Sequence, residues 1–313
     1  MIAVAGEALI DLVVSGDGRV DARPGGGPYN AALAAARLGA PVTFLGRLAG
    51  DGFGRVLRDR LVAEGVAIGL PAPSAAPSTL AVADVDADGL ASYRFYLAGT
   101  SAGDADYPAL RAALPDGAAA VHVGSLGLVV EPAGSAVERL VLTDVPASAL
   151  VMLDPNCRAA AVADKAAFLR RVAAIARRAD IVRVSAADLA YLYPDKSPAA
   201  AAAALLAFGV AVVLVTDGPH PARAFLPGTV LAAVVPTVEV VDTIGAGDAF
   251  GGGFLAWWTA RGLTRADLRW PAMVSDALRT AAAVAALTCT RPGADPPALA
   301  EVRYGDWWPE PVV

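Results

Sequence analysis

The sequence predicts an α/β protein: a mostly parallel sheet with helices on both faces, accompanied by a small antiparallel β lid. Three observations carry this expectation. From Val42 onward, β-like apolar runs alternate with helical ones, the pattern of strands joined by crossover helices. Two turn-rich, alternating stretches, at about residues 12–24 and 79–98, have no helix between their pieces, as the hairpins of a separate sheet would. Neither an internal repeat nor a dividing linker is visible in the 313 residues, so one domain over 1–313 is expected.

Taken in order, the apolar run from Ile2 to Ile10 reads as a buried central strand. It would deliver Asp11 at its carboxyl end, where open α/β sheets bind ligands; a solvated turn aspartate is the other reading. Gly25-Gly26-Gly27 lets backbone approach a ligand closely, and Pro28 suits the first turn of a helix running through Leu38. Asn30 then lies in that first turn, where its amide either serves a polyol or belongs to the helix itself.

The second lid piece runs through Thr79–Val85 and Ser92–Tyr96 around the turn Asp86-Ala87-Asp88-Gly89. Strand alternation puts Arg94 and Tyr96 on one face, Tyr93 and Phe95 on the other. Periodicity leaves open which face meets a ligand, and Tyr96 is carried as the candidate.

Strands are expected at Val42–Leu45, Val121–Gly124, Leu150–Asp154 and Ile181–Val184, and helices at Phe53–Glu64, Glu131–Leu142 and Lys165–Arg178. The uncharged stretch Ala199–Val215 approaches bilayer-spanning length. Gly209 splits it into an Ala/Leu helix and a β-branched strand, Val-Ala-Val-Val-Leu-Val.

Composition narrows the function classes. Hydrophobic residues make up 56% of the chain, but alanine inflates the figure, so a soluble protein and not a membrane protein is expected. A net charge of −6 argues against nucleic acid or an anionic membrane as partner. Two cysteines and two histidines without paired spacing cannot supply a structural zinc site. No signal-like segment precedes Ile2, and a reduced, cytoplasmic setting is expected.

The stretch with the most chemistry is Val240–Leu255. Gly245-Ala246-Gly247 gives a turn small enough for successive amides to converge, and the apolar run from Ala249 continues as a helix. That is an anion-binding helix N-terminus. Asp248 in its first turn suits a base that takes a proton from a hydroxyl while the amides hold a phosphoryl group. A plain helix start, with the aspartate against the dipole, uses the same residues. A dinucleotide fingerprint is excluded because Phe250 stands where its third glycine belongs, and no Gly-Lys-Ser/Thr triplet supplies a Walker A loop.

Asp242-Thr243-Ile244-Gly245-Ala246-Gly247-Asp248 resembles the C-terminal signature of the ribokinase-like (PfkB) carbohydrate kinases, departing only at Ile244. Gly26-Gly27-Pro28-Tyr29-Asn30, followed by Leu38-Gly39, is similar to the N-terminal signature of the same family. Asp154-Pro155-Asn156-Cys157-Arg158, together with Ser125 to Pro132, looks most like the fructokinase branch.

The resemblance implies a ribokinase-like fold and transfer of phosphate from ATP, with Mg²⁺, to a primary hydroxyl of a small sugar. In that scheme Asp248 is the base, and the amides of Gly245, Ala246 and Gly247 stabilise the transferring group. Asp11, Gly26, Gly27, Asn30, Tyr96 and Arg158 would bind the sugar. Asn156, Arg183, Ser185, Thr216 and Gly218 would serve ATP. Asp188 would meet Mg²⁺ through water, since Ser185 and the shorter Asp188 replace the family's Asn and Glu. Asp242, the Ile244 carbonyl, Thr288 and Gly293 resemble the surroundings of a monovalent cation, which makes potassium an open second metal. Pro221 and Pro297 depart from the expected loop residues. Fructose is the first substrate; 2-keto-3-deoxygluconate, whose carboxylate Arg94 or Arg158 could meet, is the alternative, with ribose and nucleosides open. A sugar sensor without turnover is the reading from another class, and a homodimer through the lid is compatible with the same residues.

Overall fold

The structure, a computed structural model, describes residues 1–85, 91–304 and 308. The chain opens with β1 (Ile2–Ala5) and then leaves the main sheet, because β2 (Leu9–Val14) and β3 (Val20–Gly25) form a hairpin of the lid. The single strand expected from Ile2 to Ile10 is therefore two. Gly6 makes the break at a φ of +151°, and a Cβ there would stand 2.3 Å from Pro28 Cγ. Asp11 consequently rides on a lid strand and not on the end of a main-sheet strand.

Helix α1 (Gly27–Arg37) carries Pro28 in its first turn, where a missing N–H costs nothing. Then come β4 (Val42–Leu45), α2 (Gly52–Ala63) and the short β5 (Ala67–Ile68). Asp51 caps α2, accepting from Gly54 N at 2.8 Å. The second lid hairpin is β6 (Leu80–Val85) and β7 (Ala91–Tyr96); its turn Asp86-Ala87-Asp88-Gly89 lies outside the described residues. The lid order is β3-β2-β6-β7, two antiparallel hairpins joined through a parallel β2–β6 pair.

The crossover units follow: α3 (Tyr107–Ala113), β8 (Ala120–Gly124), α4 (Ala133–Thr143), β9 (Leu150–Asp154), α5 (Lys165–Ala176) and β10 (Ile181–Ser185). After α6 (Ala186–Leu192), the uncharged stretch resolves into α7 (Pro198–Leu206) and β11 (Val212–Asp217), as Gly209 indicated. Among the described residues no helix is long and apolar enough to cross a membrane. A hairpin of β12 (His220–Leu226) and β13 (Thr229–Ala233) comes next, then α8 (Ala246–Ala260), α9 (Pro271–Thr288) and α10 (Leu299–Tyr304). Strand β5, helices α3, α6 and α10 and the β12–β13 hairpin have no counterpart among the expected elements.

The main sheet is nine-stranded, ordered β13-β12-β11-β10-β9-β8-β1-β4-β5, parallel from β11 to β5 with the hairpin antiparallel at one edge. Side-chain alternation feeds two cores. Ile2, Val4, Met152, Ile181 and Leu214 enter the one shared with α1, α8 and α9, whereas Ala3, Val121, Val151, Val182 and Val213 enter the one under α4, α5 and α7. Strands buried on both faces explain why they read as unbroken apolar runs.

What positions the site is the packing of α8 between α1 and α9. Gly252 admits α1 so closely that a Cβ would stand 2.5 Å from the Ala31 carbonyl oxygen and 2.9 Å from Ala34 Cβ. On the far side Gly253 faces Val284 at 3.2 Å. A Gly252→Ala substitution must therefore push the two helices apart. Urea denaturation is expected to show a loss of about 1–3 kcal/mol, the usual range for overpacking a filled interface.

Candidate active site

The carboxyl ends of β1, β8, β9 and β10 converge on one cavity, closed from above by the lid. Its volume is about 520 Å³, and its walls include Glu7, Asp11, Gly26, Gly27, Asn30, Ser125, Asn156, Arg158, Arg183, Ser185, Asp188, Ile244, Gly245, Gly247 and Asp248. This is where an open parallel sheet presents its ligand site, and a space of that size suits a small polar ligand.

Asp248 sits in the first turn of α8, 9% exposed. Its carboxylate accepts from Asn30 Nδ2 at 2.9 Å and from Asn156 Nδ2 at 3.3 Å. Burial holds its pKa above the ordinary aspartate value, while the Asn30 bond and the charges of Arg158 and Arg183 pull it back. Asn30 Oδ1 is buried and has no hydrogen-bond partner among the described residues. Asn156 holds its place at a φ of +39°, and Ser125 stands at +57°, so two non-glycine residues in left-handed backbone share this one site. Asn156, expected on the nucleotide side, thus lies against the Asp248 carboxylate.

The turn before α8 departs from expectation at one amide. Gly245 takes φ +77°, with a hypothetical Cβ 2.5 Å from Ala294 Cβ, but Ala246 N donates to the Thr243 carbonyl at 3.3 Å. Behind the turn stands Arg183, whose guanidinium would lie 2.5 Å from a Cβ on Gly247. Arg183 is 5% exposed; its Nη1 pairs with Asp154 at 3.1 Å and its Nη2 donates to Thr216 Oγ1 at 2.6 Å. Thr216 therefore joins the site through Arg183. Gly218, in the β11–β12 turn, does not line the cavity.

Ser185 and Asp188 form a capping box at the start of α6. Ser185 N donates to Asp188 Oδ2 at 2.8 Å, and Asp188 N to Ser185 Oγ at 3.0 Å. The other carboxylate oxygen accepts from Cys157 N at 2.7 Å, which fixes the Asn156–Arg158 loop. With both oxygens held by protein donors, Asp188 suits contact with a magnesium ion through water better than direct ligation.

On the opposite wall Asp11 faces the cavity, its pKa raised to about 6 by burial and by Asp248, with Arg158 opposing. Gly26, at φ +110°, and Gly27 bring α1 against it; a Cβ on Gly27 would stand 2.9 Å from Ser125 Cβ. Tyr93 and Phe95 supply the lid side, rings stacked with centroids 6.4 Å apart. Tyr96 is on the other face of β7 and does not line the cavity; Tyr93 and Phe95 take the place expected of it.

Two residues here went unnoticed in the sequence. Glu7, 1% exposed, accepts from Gly27 N at 3.0 Å and Gly127 N at 2.7 Å, tying together the loops on either side of the cavity. Burial raises its pKa to about 7. A lone carboxylate inside an apolar run was its available signal. Arg23, on β3, reaches Asp242 with Nη1–Oδ2 at 3.0 Å. That contact spans 219 residues of chain, and no local pattern announces it.

The expected monovalent-cation set is only partly assembled. Asp242 also accepts from Ile244 N at 3.0 Å and Gly293 N at 2.8 Å. Thr288 is fully buried and turns its hydroxyl into its own helix, donating to the Val284 carbonyl at 2.8 Å. It does not reach Asp242 with that group.

Comparisons with known proteins agree with this geometry. A family model described as pfkB family carbohydrate kinase matches residues 1–301. A fructokinase of Rhizobium leguminosarum bv. trifolii is 35% identical over 263 residues, covering 82% of this chain and 79% of that protein. Among solved structures, a fructokinase with bound ATP from Xylella fastidiosa superposes with a TM-score of 0.85 at 28% identity, over 97% of each chain. A Vibrio cholerae fructokinase in a fructose-, ADP- and calcium-bound form superposes with a TM-score of 0.82 at 26% identity, over 94% of each chain. With both signatures meeting in one cavity and the family match running from the first residue to position 301, the chain belongs to the PfkB family of carbohydrate kinases.

Proposed function

We propose that this protein is an ATP-dependent fructokinase, transferring the γ-phosphoryl group of ATP to a primary hydroxyl of fructose. The observation that carries this is the Asp248 carboxylate, held at a helix N-terminus by two amide side chains in a cavity whose relatives include structures with ATP, and with fructose and ADP, bound. Asp248 takes the hydroxyl proton as the oxygen attacks. The amides of Gly245 and Gly247, with Arg183 close behind them, stabilise the charge on the transferring group. Asp11, Gly26, Gly27, Asn30 and Arg158 orient the sugar, and the unpartnered Asn30 Oδ1 provides an acceptor for one of its hydroxyls. Tyr93 and Phe95 cover it from the lid.

Ser185, Thr216 and Gly218 belong to the side from which ATP enters, and Asn156 serves the transfer from beside Asp248. Asp188 would hold, through water, the magnesium ion that accompanies the nucleotide, and that ion would neutralise phosphate charge. Positioning and electrostatics supply most of the acceleration, because phosphoryl transfer asks little covalent chemistry of the protein. A keto-deoxy sugar acid is the second reading, favoured by Arg158 as a cation at the cavity wall. ADP release from Mg·ATP with fructose, 2-keto-3-deoxygluconate, ribose and adenosine decides: fructose is expected to respond most strongly, and a stronger response to the acid would replace fructose as the substrate.

Asp248→Asn removes the base while keeping the shape, and should lower kcat by about 10² or more with fructose affinity retained, the size of a general-base contribution. Calorimetric titration with fructose beside turnover measures both.

The pH dependence follows from the same carboxylate. Asp248 acts ionised, so kcat/KM should fall on the acid side along a limb lying above the ordinary aspartate range, because burial raises its pKa. Arg158 favours the ionised form, so Arg158→Gln should move that limb to higher pH. A pH–rate profile of the two proteins checks the sign.

A further inference from the structure

Asp242 opens the turn that leads to Asp248, and its carboxylate is compensated by a side chain of this protein. Its Oδ2 faces Arg23 Nη1 at 3.0 Å, with side-chain exposures of 33% for the arginine and 17% for the aspartate. Gly293, at φ +72°, makes room: a Cβ there would stand 3.2 Å from Arg23 Cδ. The arginine is itself steered by Asp21, which accepts from its Nε at 2.6 Å. Three carbonyl oxygens around the turn already accept backbone hydrogen bonds. The Gly293 carbonyl accepts from Asp295 N at 2.9 Å, the Thr288 carbonyl from Arg291 N at 3.3 Å, and the Cys289 carbonyl from both Val241 N and Asp242 N. A guanidinium 3.0 Å from that oxygen already supplies the positive charge an alkali cation would bring, and repels a second cation at close range.

Arg23 also belongs to the lid. It lies on β3 directly across from Asp11 on β2, and Asp11 faces the sugar cavity. One side chain thus connects the strand pair over the sugar with the turn that holds the phosphoryl group.

We propose that the Arg23 guanidinium is the resident cation of the Asp242 turn, so that this protein turns over without a bound monovalent metal ion and the Arg23–Asp242 pair holds the lid hairpin to the phosphate turn. Arg23 is a positioning residue: it acts through Asp242 on the alignment of the turn. This rests on the kinase reading given above, and the test separates the two.

Turnover of fructose and thermal melting are measured in potassium chloride and in tetramethylammonium chloride of equal concentration, for the wild type, Arg23→Ala and Arg23→Lys. The wild type should show the same turnover and the same melting temperature in both salts. Arg23→Ala should lose about 10²-fold in kcat in tetramethylammonium, the scale of a small misplacement of reacting groups, and recover in potassium, which should also raise its melting temperature. Arg23→Lys keeps a charge and should stay indifferent to the salt. Wild-type turnover that needs potassium, or a wild-type melting temperature that potassium raises, would overturn the proposal. So would a folded Arg23→Ala that works normally in tetramethylammonium, or one that potassium fails to restore. A wild type silent toward every sugar would sink the kinase reading instead, and the melting curves would still decide the role of Arg23.

Discussion

The hydrogen bond from Asn30 Nδ2 to Asp248, 2.9 Å long and buried, is the contact on which the site depends. Its donor and acceptor sit in the first turns of α1 and α8, and those helices approach only because Gly252 presents no side chain to Ala31 and Ala34. An aspartate buried alone would take up a proton and cease to be a base. Here two amides and two nearby guanidinium charges hold it closer to ionisation, so a packing decision made with glycine and alanine becomes a protonation state.

The cavity carries more carboxylates than a site for a charged nucleotide would be expected to tolerate. Glu7, Asp11, Asp188 and Asp248 line it, and Asp154 lies just behind. Three of them have a defined task in the fold. Glu7 ties the Gly27 and Gly127 loops, Asp188 caps α6 and fixes the Cys157 backbone, and Asp154 balances Arg183. Arg183 and Arg158 offset part of that charge: both favour the ionised form of Asp248, and Arg183 pairs with Asp154.

Much of this was legible in the sequence, for local reasons. The Gly-Ala-Gly-Asp turn, the Gly-Gly-x-x-Asn helix start and the alternation of buried strands with helices are short-range patterns, and the fold follows them. What the sequence hid was mostly long-range or ambiguous by symmetry. The Ile2–Ile10 run gives no sign that Gly6 hands it from one sheet to another. An alternating strand cannot tell Tyr96 from Phe95 until its partner surface is known. Arg23 meets Asp242 across the whole fold, and the left-handed backbone of Ser125 and Asn156 is imposed by neighbours and not by residue type. The edge hairpin β12–β13 follows a strand directly without a helix, which the crossover rhythm does not anticipate.

If Asn30 acts on catalysis through Asp248, a double-mutant cycle shows it most directly. With kcat measured at saturating fructose for the wild type, Asn30→Ala, Asp248→Asn and the double variant, the loss caused by Asn30→Ala should nearly vanish once Asp248 is already replaced, because groups that work as a unit are not additive. An equal loss in both backgrounds would contradict the account: Asn30 would then serve the sugar alone, and the carboxylate would owe its reactivity to something else.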